Sequence, residues 1–90
     1  MKIKISAMAG TLESSDCLVS VKPGEALEIT LESIAQKRYG QHIESLVRDT
    51  LAELGVESGV FHINDRGALD YCLQARVASA VKRGGRDKVC

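Results

Sequence analysis

The hydrophobic pattern of this 90-residue chain changes period near residue 33, and that change limits the available folds more than any other feature. Before it, apolar side chains alternate with polar ones, the two-residue period of a strand with one buried face. Cys17, Val19 and Val21 alternate with Leu18, Ser20 and Lys22, and Leu27, Ile29 and Leu31 alternate with Glu28, Thr30 and Glu32. Earlier still, Ile3 and Ile5 stand against Lys2, Lys4 and Ser6, which predicts a first strand over 2–8 that runs on toward Leu12. The links are short: a polar run, Glu13-Ser14-Ser15-Asp16, whose side chains favour turns, and then Pro23-Gly24. Consecutive strands joined this way predict an antiparallel meander.

After residue 33 the apolar residues recur at helical spacing. Ser33-Ile34-Ala35-Gln36 has the form of a capping box, and Ile43, Leu46, Val47, Leu51 and Leu54 follow as one stripe. Gly55 predicts the helix end, and Gly40 is the place where the helix could break. Val60-Phe61-His62-Ile63 is short and nearly all apolar, as a central strand is. Asp65-Arg66-Gly67 predicts a turn into a second helix with the stripe Leu69, Cys72, Leu73, Val77, Ala80 and Val81, ended by Gly84-Gly85. The order is β-β-β-α-β-α. The expected fold is α+β, a small antiparallel four-stranded sheet covered by two helices. The expected organisation is a single domain over 1–85 and a flexible basic tail over 86–90.

A domain of this size buries only about 60–65% of its unfolded surface, so it has one small core. That core is aliphatic, because the aromatics are Phe61, Tyr39 and Tyr71 and there is no Trp. At 44% hydrophobic and 27% charged the chain lies in the globular range, which argues against disorder. The formal net charge is zero, but it is unevenly spread. Arg76, Lys82, Arg83, Arg86 and Lys88 face a single acid, Asp87, in the last fifteen residues, and the remainder is acidic. An acidic body without an aromatic stacking platform is a poor nucleic-acid module, although the basic end keeps that reading as an alternative. No apolar run has the length of a transmembrane helix, and MKIKISAMAG lacks the apolar stretch of a signal peptide. Cys17, Cys72 and Cys90 are odd in number and follow no zinc spacing, which predicts reduced thiols in a cytoplasmic protein, with Cys72 in the core and no metal site.

Catalytic constellations are weak. His42 is expected on a solvent-facing part of the first helix and His62 in a strand, with nothing placing either beside a particular serine. Glu53 with Glu57, or Asp65 with Asp70, are carboxylates at spacings more typical of solvated faces. Lys82 and Arg83 are expected to complement a helix C-terminus. No catalytic residue is assigned. What remains is a pair of hydroxyls, Ser14 and Ser15, at the expected tip of a hairpin, where a modifying enzyme could surround them.

That segment, Ala9-Gly10-Thr11-Leu12-Glu13-Ser14, resembles the prosthetic-group attachment segment of the citrate lyase acyl carrier proteins, the gamma chains of that complex. Asn64-Asp65-Arg66-Gly67-Ala68-Leu69-Asp70, then Cys72-Leu73 and Ala75-Arg76-Val77, resembles the family's acidic turn and last helix, and Ser33-Ile34 through Tyr39-Gly40 is similar to a third stretch. The likeness runs in register from Met1 to about Arg83. It implies a non-catalytic carrier whose Ser14 holds 2'-(5''-phosphoribosyl)-3'-dephospho-coenzyme A through a phosphodiester. The thiol of that group would carry acetyl and citryl units while citrate is cleaved to acetate and oxaloacetate. The implied partners are the alpha chain (acyl transferase), the beta chain (citryl lyase), a holo-carrier synthase and an acetylating ligase, with neither nucleic acid nor membrane. The carrier of a malonate decarboxylase-like complex is the near alternative. Glu13 and Asp16, both acidic, are expected to repel the phosphodiester and keep the arm extended.

Overall fold

The structure, a computed structural model, describes residues 2–34 and 36–85. Its elements are β1 (Ala7–Gly10), β2 (Cys17–Lys22), β3 (Leu27–Ser33), α1 (Gln36–Glu53), β4 (Gly59–Asp65) and α2 (Asp70–Gly84). The order β-β-β-α-β-α, the four-stranded sheet and the two helices agree with the sequence pattern. The expected tail over 86–90, Cys90 included, lies outside the described residues.

The sheet is mixed, where the sequence pattern predicted an antiparallel one. Its strand order is β1-β2-β4-β3. β1 and β2 pair antiparallel, as do β2 and β4, but β3 and β4 run parallel from Leu27↔Gly59 to Ser33↔Asp65. The meander therefore stops after one hairpin. β3 stands one strand away from β2, and β4 fills the slot. Two strand spacings are roughly 10 Å, which the link over 23–26 can span at about 3.3–3.6 Å per residue. The link also lies over the start of β4, where Gly59 N–H donates to the Ala26 carbonyl at 3.2 Å. The apolar pattern explains the insertion. Phe61 and Ile63 of β4 are wholly buried, whereas Leu27, Ile29 and Leu31 of β3 are half-buried. The strand with the wholly buried Phe61 and Ile63 takes an interior place, and the half-buried, cleanly alternating one becomes an edge. The parallel β3–β4 pair then needs a crossover, and α1 supplies it.

The N-terminal alternation is the second difference. Ile3 is buried, but the strand begins only at Ala7, and Leu12 lies beyond it, exposed. Residues 3–5 instead form a strap. Ile3 N–H donates to the Ser58 carbonyl, and Lys4 and Ile5 N–H both donate to the Gly84 carbonyl at 2.7 and 3.0 Å. A helix leaves its last carbonyls without intrahelical partners, and α2 passes this one to the strap.

α1 runs unbroken through Gly40. Ser33 ends β3, and its hydroxyl donates to Asp65 Oδ2 at 2.8 Å; the expected capping box over 33–36 runs through residue 35, which lies outside the described residues. The C-terminal stop at Gly55 agrees with expectation: Gly55 has φ 71°, its N–H bonds the Ala52 carbonyl, and Val56 N–H bonds the Leu51 carbonyl. That is the Schellman pattern, with buried Val56 packing behind the turn. α2 buries Leu73, Val77, Ala80 and Val81 against the same sheet face, while Leu69 is exposed and Cys72 half-buried. Arg83 reaches the edge strand, donating to the Met8 carbonyl at 2.7 Å, where the sequence suggested only a cation at a helix end.

Phe61 is the aromatic of the core, fully buried on the central strand. Truncation to Ala is expected to cost about 3–5 kcal/mol in urea unfolding. Met8→Ala on the exposed edge should stay within about 0.5 kcal/mol.

Candidate functional site

The hairpin between β1 and β2 carries the serine segment, and its shape is set at both ends. Gly10 has φ 103°, and a Cβ there would lie 1.8 Å from the Cys17 carbonyl oxygen, so only glycine fits where the chain leaves the strand. Thr11 N–H donates to that carbonyl at 3.1 Å, which extends the hairpin by one rung. The loop then closes a turn in which Asp16 N–H donates to the Glu13 carbonyl at 3.2 Å. Ser14 and Ser15 form the two corners, both exposed, and Ser15 takes the left-handed conformation at φ 64°.

Asp16 is the organising group. Its carboxylate accepts two hydrogen bonds from Arg76, Nε to Oδ1 at 3.0 Å and Nη2 to Oδ2 at 2.8 Å. It also accepts the Thr11 hydroxyl at 2.7 Å and the Cys17 N–H at 2.7 Å. The Cys72 thiol points to the same carboxylate, 3.6 Å from Oδ1. Thr11 Oγ1 in turn accepts the Glu13 N–H at 3.2 Å. The Arg76 hydrogen bonds and those from Thr11 and Cys17 hold the Asp16 carboxyl well below the usual carboxylate range, and Arg76 is shifted upward in return. Such a planar two-point pairing fixes orientation as well as charge. It joins residues 60 apart in the chain, so the loop is bolted to α2.

A second carboxylate supports the loop from below. Asp65 is buried at the end of β4, opposite Cys17 in register. Its Oδ1 accepts the Ala68 N–H at 2.9 Å and its Oδ2 the Ser33 hydroxyl, which shapes the turn over 65–68. That turn presents the Arg66 backbone to the serine loop. Ser15 N–H donates to the Arg66 carbonyl and Arg66 N–H to the Asp16 carbonyl, both at 2.9 Å.

The other residues singled out in the sequence separate. Asp65 and Asp70 form no pair, since Asp65 is committed as described and Asp70 meets His42 Nε2 at 2.9 Å on the surface. His62 Nε2 lies 3.2 Å from Glu32 on the open sheet face. Asp16, Cys17 and Cys72 bring their ligand atoms within 4.8 Å of one another, a grouping the cysteine spacing did not reveal. Burial pushes the Cys17 thiol up to about 12, and the Asp16 oxygens are engaged by Arg76, so a cation there would have to displace a guanidinium. Asp16 therefore differs from its expected role. It is a paired structural group, and Glu13 is the exposed acid of the segment, with no ion pair among the described residues. The missed partner, Arg76, had a signal: an arginine at helical spacing within the apolar stripe of α2, between Leu73 and Ala80.

The sign of the Asp16 shift fixes a pH dependence. A carboxyl lowered by folding contributes stability that is complete above its unfolded value and is lost as pH falls toward the folded one. The stability difference between the native chain and Asp16→Asn should be flat from pH 8 to about 5 and shrink below about pH 4, as followed by urea unfolding.

The family model for the malonate decarboxylase delta subunit, an acyl carrier family, matches residues 4–84. The citrate lyase acyl carrier protein of Clostridium perfringens is 49% identical, over 92% of this chain and 84% of that protein. That of Haemophilus influenzae is 48% identical, over 92% and 87%. Among solved structures, a chain of a Pseudomonas malonate decarboxylase hetero-tetramer in complex with malonate has the same fold, with a TM-score of 0.80, 18% identity, and 92% and 87% of the two chains covered. At such identity over most of both chains, this chain belongs to the citrate lyase acyl carrier protein family.

Proposed function

We propose that the chain is the carrier of a citrate lyase complex, with Ser14 as the attachment point of a phosphoribosyl-dephospho-coenzyme A group. The carrier role, as distinct from a catalytic one, comes with the family. The observation that supports Ser14 is its place at the exposed tip of a turn whose base is clasped by Asp16 and Arg76. Residues of this kind fit the group: an esterified serine needs an open hydroxyl and a frame that does not depend on that hydroxyl. Thr11, Asp16, Arg66 and Arg76 make the frame without using either serine side chain. Ser14 is preferred over Ser15 because it follows Thr-Leu-Glu in the family's pattern, and because the Ser15 backbone is pinned to Arg66.

When bound, the group supplies a thiol that holds acetyl and citryl units as thioesters. The chain's own residues provide the anchor and the reach. Ser14 would supply the hydroxyl oxygen that holds the group, and the clasped turn would fix the root of the arm. Tethering replaces diffusion with a high effective concentration, so the carrier needs no deep pocket. The partners on this reading are the acyl transferase and lyase chains of the complex, a holo-carrier synthase and an acetylating ligase. The working compartment is the cytoplasm. No described helix is long and apolar enough to cross a membrane.

The decisive measurement is intact mass of the chain purified from citrate-fermenting cells. A phosphorus-containing adduct should be present in the native chain and Ser15→Ala and absent in Ser14→Ala. An adduct retained by Ser14→Ala would remove the assignment.

A further inference from the structure

The serine turn is gripped by two arginines in opposite ways. Arg76 spends its side chain on Asp16. Arg66 spends only its backbone, bonding Ser15 on one side and Asp16 on the other. Its side chain is exposed and makes no hydrogen bond or ion pair with any described residue. The turn that carries it is shaped by Asp65, which accepts the Ala68 N–H, and by Gly67, which takes φ 91°. Through its backbone Arg66 is thus bonded to Ser15, the neighbour of Ser14, while its guanidinium has no partner among the described residues. It gains one if an anion appears on the serine.

We propose that Arg66 is the phosphate-binding residue of the attachment turn, its guanidinium receiving the phosphodiester formed on Ser14. The inference rests on the Ser14 reading. A guanidinium presents a planar fork that matches two phosphate oxygens. The local charges agree. The Asp16 carboxylate is already balanced by Arg76, so a phosphodiester on Ser14 meets Glu13 as its acid and Arg66 as its base. Arg66 offsets the repulsion from Glu13 and fixes the first bonds of the arm, leaving the remainder free to move.

The test uses the full chain loaded enzymatically, with the adduct mapped by peptide mass. In the native loaded chain the phosphodiester 31P line should be broad, and added salt should narrow it through screening. Arg66→Gln should give the narrow line already at low salt, with an unchanged melting temperature before loading. Arg66→Lys should fall between the two, as a point charge without the fork. The Arg66 Nε–H signal should also move downfield between unloaded and loaded protein. An adduct on Ser14 with the same 31P linewidth in native and Arg66→Gln, and a stationary Nε–H signal, would overturn the proposal and leave Ser14 standing. An adduct on another residue would remove both.

Discussion

The pairing of Asp16 with Arg76 is the interaction on which the site depends. A six-residue loop with two serines and two acids has little reason to hold one shape, since neither apolar burial nor a regular ladder supports its tip. Here one carboxylate gathers the guanidinium of α2, the hydroxyl that opens the loop and the amide that starts β2. Each of these donors comes from a different element. Fixing a single side chain therefore fixes hairpin, helix and loop together, and the serine corner inherits that order. The same pairing turns an acid that would repel a phosphodiester into a neutral part of the frame.

The mixed sheet serves this arrangement. Because β4 lies between β2 and β3, the start of β2 and the ends of β3 and β4 meet at one end of the sheet. Ser33, Asp65 and Cys17 then stand side by side in register. An all-antiparallel meander would have set β3 beside β2 and left Asp65 without its Ser33 partner. The Arg66 turn that supports the serine corner would then have lost its base. Topology and site are one problem in this chain: the insertion of β4 between β2 and β3 brings the supporting carboxylate under the loop.

Much of this was legible in the sequence, for physical reasons that differ by element. The period-two alternation of residues 17–22 and the stripe of the second helix read directly, because burial of one face is a local property of pattern. The Gly55 stop was legible because left-handed backbone is written in residue type. Strand order was not, since the alternation says which face is buried and not which neighbour is beside it. The alternation at residues 2–6 misled for the same reason: Ile3 fills the core from a strap, and the pattern cannot tell a strap from a strand. The bond from the Ser33 hydroxyl to Asp65 was not legible either, because it joins two strands 32 positions apart in the chain. The serine segment was found by resemblance, but the clasp beneath it was not, because it joins positions 60 apart and only the misplaced arginine in an apolar stripe hinted at it.

Side-chain pairing is expected to hold the serine turn rigid in the bare chain. Backbone 15N relaxation of the unloaded chain tests it most directly. The account predicts order parameters near 0.85 across residues 11–16, comparable with the strands, falling below about 0.6 at the turn in Arg76→Gln while β4 stays ordered. A turn already below about 0.6 in the native chain would contradict it.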